Sequence, residues 1–178
     1  TATGIVLSGL DSGVTVNGAT TISANGGTPV VARYSDTVVA AFYIDTGTGN
    51  VNGRVLTVGA TSFTVGSATT LVSTIGANTW QVRRFGTSDY FLLTFADTSD
   101  NQKAVVVQFN GSTFTAGTPI TIVATQAGTD LVSDCLDSTR AIILYNDSNG
   151  LIRTVVVTRS GTSLSAGTQV QLQSDAPV

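Results

Sequence analysis

The sequence predicts an all-β fold built from tandem four-stranded antiparallel units. Three observations carry that expectation: a composition poor in helix formers, a self-similar pattern that recurs about every fifty residues, and turn residues at matching places in each copy. The chain has 178 residues, 42% of them apolar and 11% charged, which places it among globular proteins rather than disordered ones. It contains no Glu, His or Met and a single lysine, Lys103; every acid is Asp and every other basic residue is Arg. Absent Glu, Met and Lys remove ordinary helix formers, while abundant Val and Thr favour a pleated backbone.

The repeat is visible without gaps. Gly53 to Leu71 reads G-R-V-L-T-V-G-A-T-S-F-T-V-G-S-A-T-T-L and lies under G-I-V-L-S-G-L-D-S-G-V-T-V-N-G-A-T-T-I, Gly4 to Ile22. Later copies read S-T-F-T-A-G-T-P-I-T-I, Ser112 to Ile122, and T-S-L-S-A-G-T-Q-V-Q-L, Thr162 to Leu172. A second block alternates with these: Ser35 to Asp45, Thr87 to Asp97 and Asp137 to Asp147 each open on turn residues, run through an apolar stretch and close on Asp. A short strand precedes each block, closing on Tyr34, Phe85 and Leu136.

Four strands per repeat follow. In the first whole repeat they are expected around Val30 to Tyr34, from Val38 to Ile44, around Arg54 to Val58, and from Phe63 to Val72 with a break near Gly66. Second-strand runs such as Tyr90 to Ala96 and Ala141 to Tyr145 are continuously apolar, the pattern of a strand covered on both faces. Asp36-Thr37, Ser88-Asp89 and Ser138-Thr139 supply tight turns, and Asn110-Gly111 and Ser160-Gly161 supply hairpins, so each strand meets its sequence neighbour. The organisation expected is one repeat domain over 1–178: a leading half-repeat, 1–24, then whole repeats at 25–74, 75–125 and 126–178.

A repeated four-stranded meander, apolar on both faces, is what a β-propeller blade requires, because each blade packs against two others. The expectation is therefore a propeller arc of about 3.5 blades. The alternatives are a β-trefoil, whose repeats are typically shorter and which does not explain the leading half-repeat, or a β-sandwich. An open arc would leave apolar sheet faces in water, and two copies do not complete a ring, since each has a surplus half of the same kind. Further blades or protein subunits of a larger assembly are the expected partners, and the chain is expected to be a portion of a longer one.

The pattern S-D/S-T, five residues, Y/F-x-D, then V-V-V and T-S-L/F-T-x-G-T-x-V/I-T-L resembles the blade repeats of phage tail-fibre and other virion-surface proteins and of bacterial surface or secreted proteins. The matching positions run from Gly4 to Leu172 and are core and turn residues. The sequence lacks the WD dipeptide, the S-x-D-x-G-x-T-W box and a full D-x-D-x-D-G loop. The resemblance implies adhesion or particle assembly at a virion surface or outside the cell.

The residues themselves exclude much chemistry. Without His or Glu there is no Ser-His-Asp triad, Cys-His dyad, His-ligated zinc or Glu acid–base pair. Two Asp carboxylates can serve a glycosidase, which raises Asp89, Asp97, Asp100 and Asp134. Asp97, however, shares a column with Asp45 and Asp147, and a residue repeated in every copy reads as a turn device. Asp97 with Asp100, or Asp147 with Asn149 beside Gly150, offers clustered oxygens to Ca²⁺, but the pattern varies between copies and reads as ordinary turns. Trp80 reads as a core filler, with sugar stacking as the alternative. Arg33 and Arg84 align near the end of a strand, with Arg83 adding local variety. Cys135, a lone cysteine, reads as a small apolar strand residue.

No catalytic, cofactor or metal residue is therefore assigned. A net charge of −3 with scattered arginines gives no phosphate-binding stripe, so nucleic acid is not an expected partner. No apolar run approaches the roughly 20 residues of a membrane-spanning helix. The expected role is a non-enzymatic structural or adhesion module, extracellular or on a virion. The alternative is a lectin for a cell-surface glycan, or an Asp-based glycan-active enzyme.

Overall fold

The computed structural model describes residues 2–8, 15–60, 62–73, 75–124, 131–147 and 149–172, with backbone alone at 2–8, 15–19 and 77–79. Residues 9–14 of the leading half-repeat, the junction near 125–126 and Ser148 lie outside the described residues. Seventeen strands and no helix are present among the described residues. All pairings are antiparallel between sequence neighbours or near neighbours.

β1 (Ala2–Ser8) and β2 (Thr15–Ser23) form a two-stranded sheet. β3 (Gly26–Arg33), β4 (Val38–Asp45), β5 (Val51–Val58), β6 (Phe63–Val65) and β7 (Thr69–Val72) form the next. A third holds β8 (Ile75–Arg84), β9 (Tyr90–Asp97), β10 (Gln102–Phe109), β11 (Phe114–Ala116) and β12 (Ile120–Val123). The last holds β13 (Leu131–Cys135), β14 (Arg140–Asn146), β15 (Ile152–Ser160), β16 (Ser163–Ala166) and β17 (Val170–Gln171).

Each whole repeat therefore shows five strands where four are expected, because its fourth is divided. The division has one cause in all three. The amides of Gly66, Gly117 and Gly167 bond the carbonyls of Val55, Val106 and Val156 at 2.8, 2.8 and 2.9 Å, which pulls the chain in and interrupts the ladder. A Cβ on Gly66 or Gly167 would stand 3.1 or 3.2 Å from that carbonyl oxygen. Other backbone bonds recur as well: the amides of Val58, Phe109 and Arg159, in the third strands, bond the carbonyls of Thr37, Asp89 and Thr139 in the first turn of each repeat at 2.7, 2.7 and 2.8 Å.

The chain divides into two units, Thr1–Ser73 with Gly111–Phe114, and Thr74–Asn110 with Thr115–Val178. In the first, Ile22, Ala41, Tyr43 and Leu56 form a buried cluster with Val39, Phe63 and Val65 packed on it. Phe114 lies 5.4 Å from Phe42, ring centre to ring centre, and over Gly53, where a Cβ would come within 3.0 Å of it.

In the second unit two sheets lie face to face. Phe85, Leu92, Ala104, Val106 and Ile122 of one meet Leu131, Ala141, Ile143, Tyr145, Val155, Val157 and Leu164 of the other in one buried cluster. Gln81 Oε1 accepts the Ser133 amide at 2.9 Å, and Gln169 Nε2 donates to the Ile122 carbonyl at 2.8 Å across the same junction. The Arg159 guanidinium sits 3.8 Å from the centre of the Tyr90 ring and 5.5 Å from that of Phe85.

One expectation changes here. Continuous apolar runs predict strands covered on both faces, and β9 is buried throughout its middle. β14 instead alternates: Ala141, Ile143 and Tyr145 are buried while Ile142 and Leu144 are only half-buried, and in β15 Val156 is exposed between buried Val155 and Val157. The sequence runs are alike, but in β14 and β15 burial is confined to the face that packs on the preceding sheet.

A Cβ on Gly117 would fall 2.0 Å from the Thr162 carbonyl oxygen, against 3.1 Å for Gly66 and its nearest carbonyl. Gly117→Ala is expected to cost at least about 2 kcal/mol and Gly66→Ala under about 1 kcal/mol, because only the former collides with the backbone of the neighbouring sheet. Urea unfolding of the two variants checks the ranking, and equal losses would show that the sheets part without cost at this point.

Candidate functional site

The aspartates that close each second strand are the chemical groups the sequence repeats most faithfully, and the structure places them all at one kind of loop. Asp45 Oδ1 accepts the amides of Gly47 and Thr48 at 2.9 and 3.2 Å. Asp97 Oδ1 accepts those of Ser99 and Asn101 at 2.9 and 3.0 Å, and Asp147 Oδ1 those of Asn149 and Leu151 at 2.9 and 3.0 Å. A carboxylate that turns back on the amides two to four residues ahead fixes a tight loop without secondary structure. Gly49, Asp100 and Gly150 occupy the same left-handed position of these loops, at φ 73°, 58° and 74°, so Asp100 stands where its neighbours use glycine.

The remaining oxygen is used differently from copy to copy. Lys103 Nζ lies 2.8 Å from Asp97 Oδ2, and Arg153 Nε lies 2.6 Å from Asp147 Oδ2. Lys103 and Arg153 hold equivalent positions, opposite Phe95 and Tyr145 in their ladders; the first whole repeat has Asn52 there, opposite Tyr43. This recurring basic column was readable in the sequence and was not among the residues it singled out.

Electrostatics follow from these partners. Burial pushes the Asp97 carboxyl upward, but the Lys103 ammonium, the Asn101 side-chain amide and the amides of Asn101 and Ser99 outweigh it and hold the group well below the carboxylate range. The Arg153 guanidinium holds Asp147 low, against the opposing effect of burial. Asp137 is lowered by the Thr139 amide and the Arg140 side chain.

Of the carboxylates considered for glycosidase chemistry, Asp89 and Asp97 are not drawn together as a pair. Asp89 precedes β9 and Asp97 ends it, so eight residues of extended chain separate them by roughly 26 Å, far beyond the roughly 5–9.5 Å that such a mechanism uses. Asp134 Oδ1 accepts the Cys135 amide at 2.9 Å. As a calcium loop, Asp97 already carries an ammonium and Asp147 a guanidinium where the metal would sit. Among the described residues no group of three or more ligating side chains gathers.

Trp80, 5% exposed in β8, presents no ring face to a sugar. Arg33 pairs with Asp36, and Arg84 donates to the carbonyls of Ser88 and Thr87, both at 2.8 Å. The Cys135 thiol, half-buried at the end of β13, is pushed up to about 12 by burial and the neighbouring Asp134 charge, so it stays a thiol at neutral pH. A hydroxyl-bearing depression is lined by Gly117, Thr118, Thr162 and Ser163 at the outer strands of the second unit.

Comparison with known protein families, with curated proteins and with solved structures found no match. The fold and the loops define the class themselves: an all-β protein of consecutive antiparallel sheets closed by matching aspartate loops.

With depressed carboxyls, the unfolded chain takes up protons first on acidification. Their stabilising contribution is complete above the ordinary value of about 3.9 and is lost as pH falls through the lower folded values. No His is present to titrate between. The urea midpoint should be flat from pH 8 to about 5.5 and fall below about pH 4. Asp97→Asn should lower it at pH 7 and flatten the acid decline; a fall between pH 7 and pH 6, or an unchanged acid decline in the variant, would contradict this account.

Proposed function

We propose that the chain is a non-enzymatic structural and adhesion module of a virion fibre, a particle decoration or an extracellular surface protein, its repeats set as blades of a β-propeller. The observation that supports it most is where the reactive groups go. Asp97 and Asp147 are bound to their own loops and to Lys103 and Arg153; Arg159 lies on aromatic rings of the neighbouring sheet. Such side chains serve rigidity, and a rigid sheet scaffold with variable loops suits display to a partner.

Face-to-face burial of consecutive antiparallel sheets favours blades over trefoil repeats, and the recurrent glycine bond that divides each fourth strand favours one template copied in tandem. A cell-surface glycan is the alternative partner, and the hydroxyl-lined depression around Thr118, Thr162 and Ser163 is where it would bind.

Binding to intact cells and to a glycan array tests the reading, together with polysaccharide digestion. The expected result is surface or particle association without depolymerisation. Hydrolysis of a polysaccharide that is abolished by one Asp substitution would overturn it in favour of a glycan-active enzyme.

A further inference from the structure

The last sheet carries an apolar face at the places where the sheet before it is covered. Phe85, Val106 and Ile122 are 0, 0 and 5% exposed because β13 to β16 lie on them; Leu136, Val156 and Leu172, at the same places one repeat later, are 54, 40 and 56% exposed. The equivalence rests on backbone as well as sequence. The Phe85 amide bonds the Tyr90 carbonyl as Leu136 bonds Arg140, and Gly117 bonds Val106 as Gly167 bonds Val156. Isolated exposed aliphatics are ordinary, but this set is contiguous on one sheet face: Ile142 pairs with Val156, and Val132 with Leu144.

We infer that this face of β13 to β17 is an interaction surface for one further antiparallel sheet of the same repeat, which continues the established junction by one step. The occupant's chemistry can be specified further. At the existing junction the residue at the contact centre is Ser133, whose amide is accepted by Gln81 and whose hydroxyl lies 3.5 Å from Thr94 Oγ1. On the open face Val132 and Leu144 replace Gln81 and Thr94, and with Ile152 they line a shallow depression. The incoming sheet therefore carries an aliphatic side chain where the present one carries Ser133, since a hydroxyl there would be buried without an acceptor.

The inference rests on the face-to-face packing of repeats proposed above and not on adhesion, so failure of the binding assays leaves it standing. It is tested with the whole chain in a Cys135→Ser background carrying Val156→Cys as a labelling site. The same chain is then extended after Val178 by a copy of residues 125–178 in which the counterpart of Ser133 is Val. Maleimide labelling at position 156 should be fast in the first chain and at least about 100-fold slower in the second, because a docked sheet must open before the thiol reacts. An appended copy that keeps Ser at that place should protect less. Unchanged labelling in the extended chain, whether the appended repeat folds apart or not at all, overturns the inference. So does concentration-dependent protection of the unextended chain, which would make a second copy the occupant.

Discussion

Burial of one sheet face against the next is the constraint on which the second unit depends. Phe85, Leu92, Val106, Ile143, Val155 and Val157 sit almost wholly out of water at that junction. Side chains of this kind contribute about 1.5–3 kcal/mol each when fully buried. Charged residues add little in comparison: the pairs Arg33 with Asp36 and Arg140 with Asp137 are exposed and screened. The polar contacts that do matter at the junction satisfy groups the apolar contact would otherwise strand, as Gln81 does for the Ser133 amide.

Given that junction, the loops have a narrow task. Stacked sheets whose strands are joined by short connections need turns that hold the strand ends in register. Asp45, Asp97 and Asp147 do this from within the loop. Lys103 and Arg153 tie the loop to the third strand, so loop geometry and sheet register are fixed together. Gly66, Gly117 and Gly167 do the equivalent work at the outer edge, where the chain leaves the ladder to bond a neighbouring carbonyl.

Most of this order was legible in the sequence because it repeats. The strand runs Val38 to Ile44 and Tyr90 to Ala96, the break at Gly66 and the Asp column were all visible as recurring patterns, and β4 and β9 lie where those runs fall. What could not be read depends on neighbours. Nothing in the run Ala141 to Tyr145 says that one of its faces lacks a described sheet, and nothing around Gly117 says that Thr162 of the next repeat passes against it. Trp80, read from the sequence as a core filler with sugar stacking as the alternative, is buried in β8. Asp89 and Asp97, both raised as possible carboxylate partners before Asp97 was read as a turn device, lie at opposite ends of a strand.

Two adjacent isoleucines in β14 give the most direct measurement, since they share residue type, strand and neighbours in sequence and differ only in the face they occupy. Ile143 is buried in the junction and Ile142 is half-buried on the open face. Chemical unfolding should show Ile143→Ala losing about 2–4 kcal/mol and Ile142→Ala less than about 1.5 kcal/mol. Equal losses would contradict the claim that face-to-face burial of successive sheets holds this unit together.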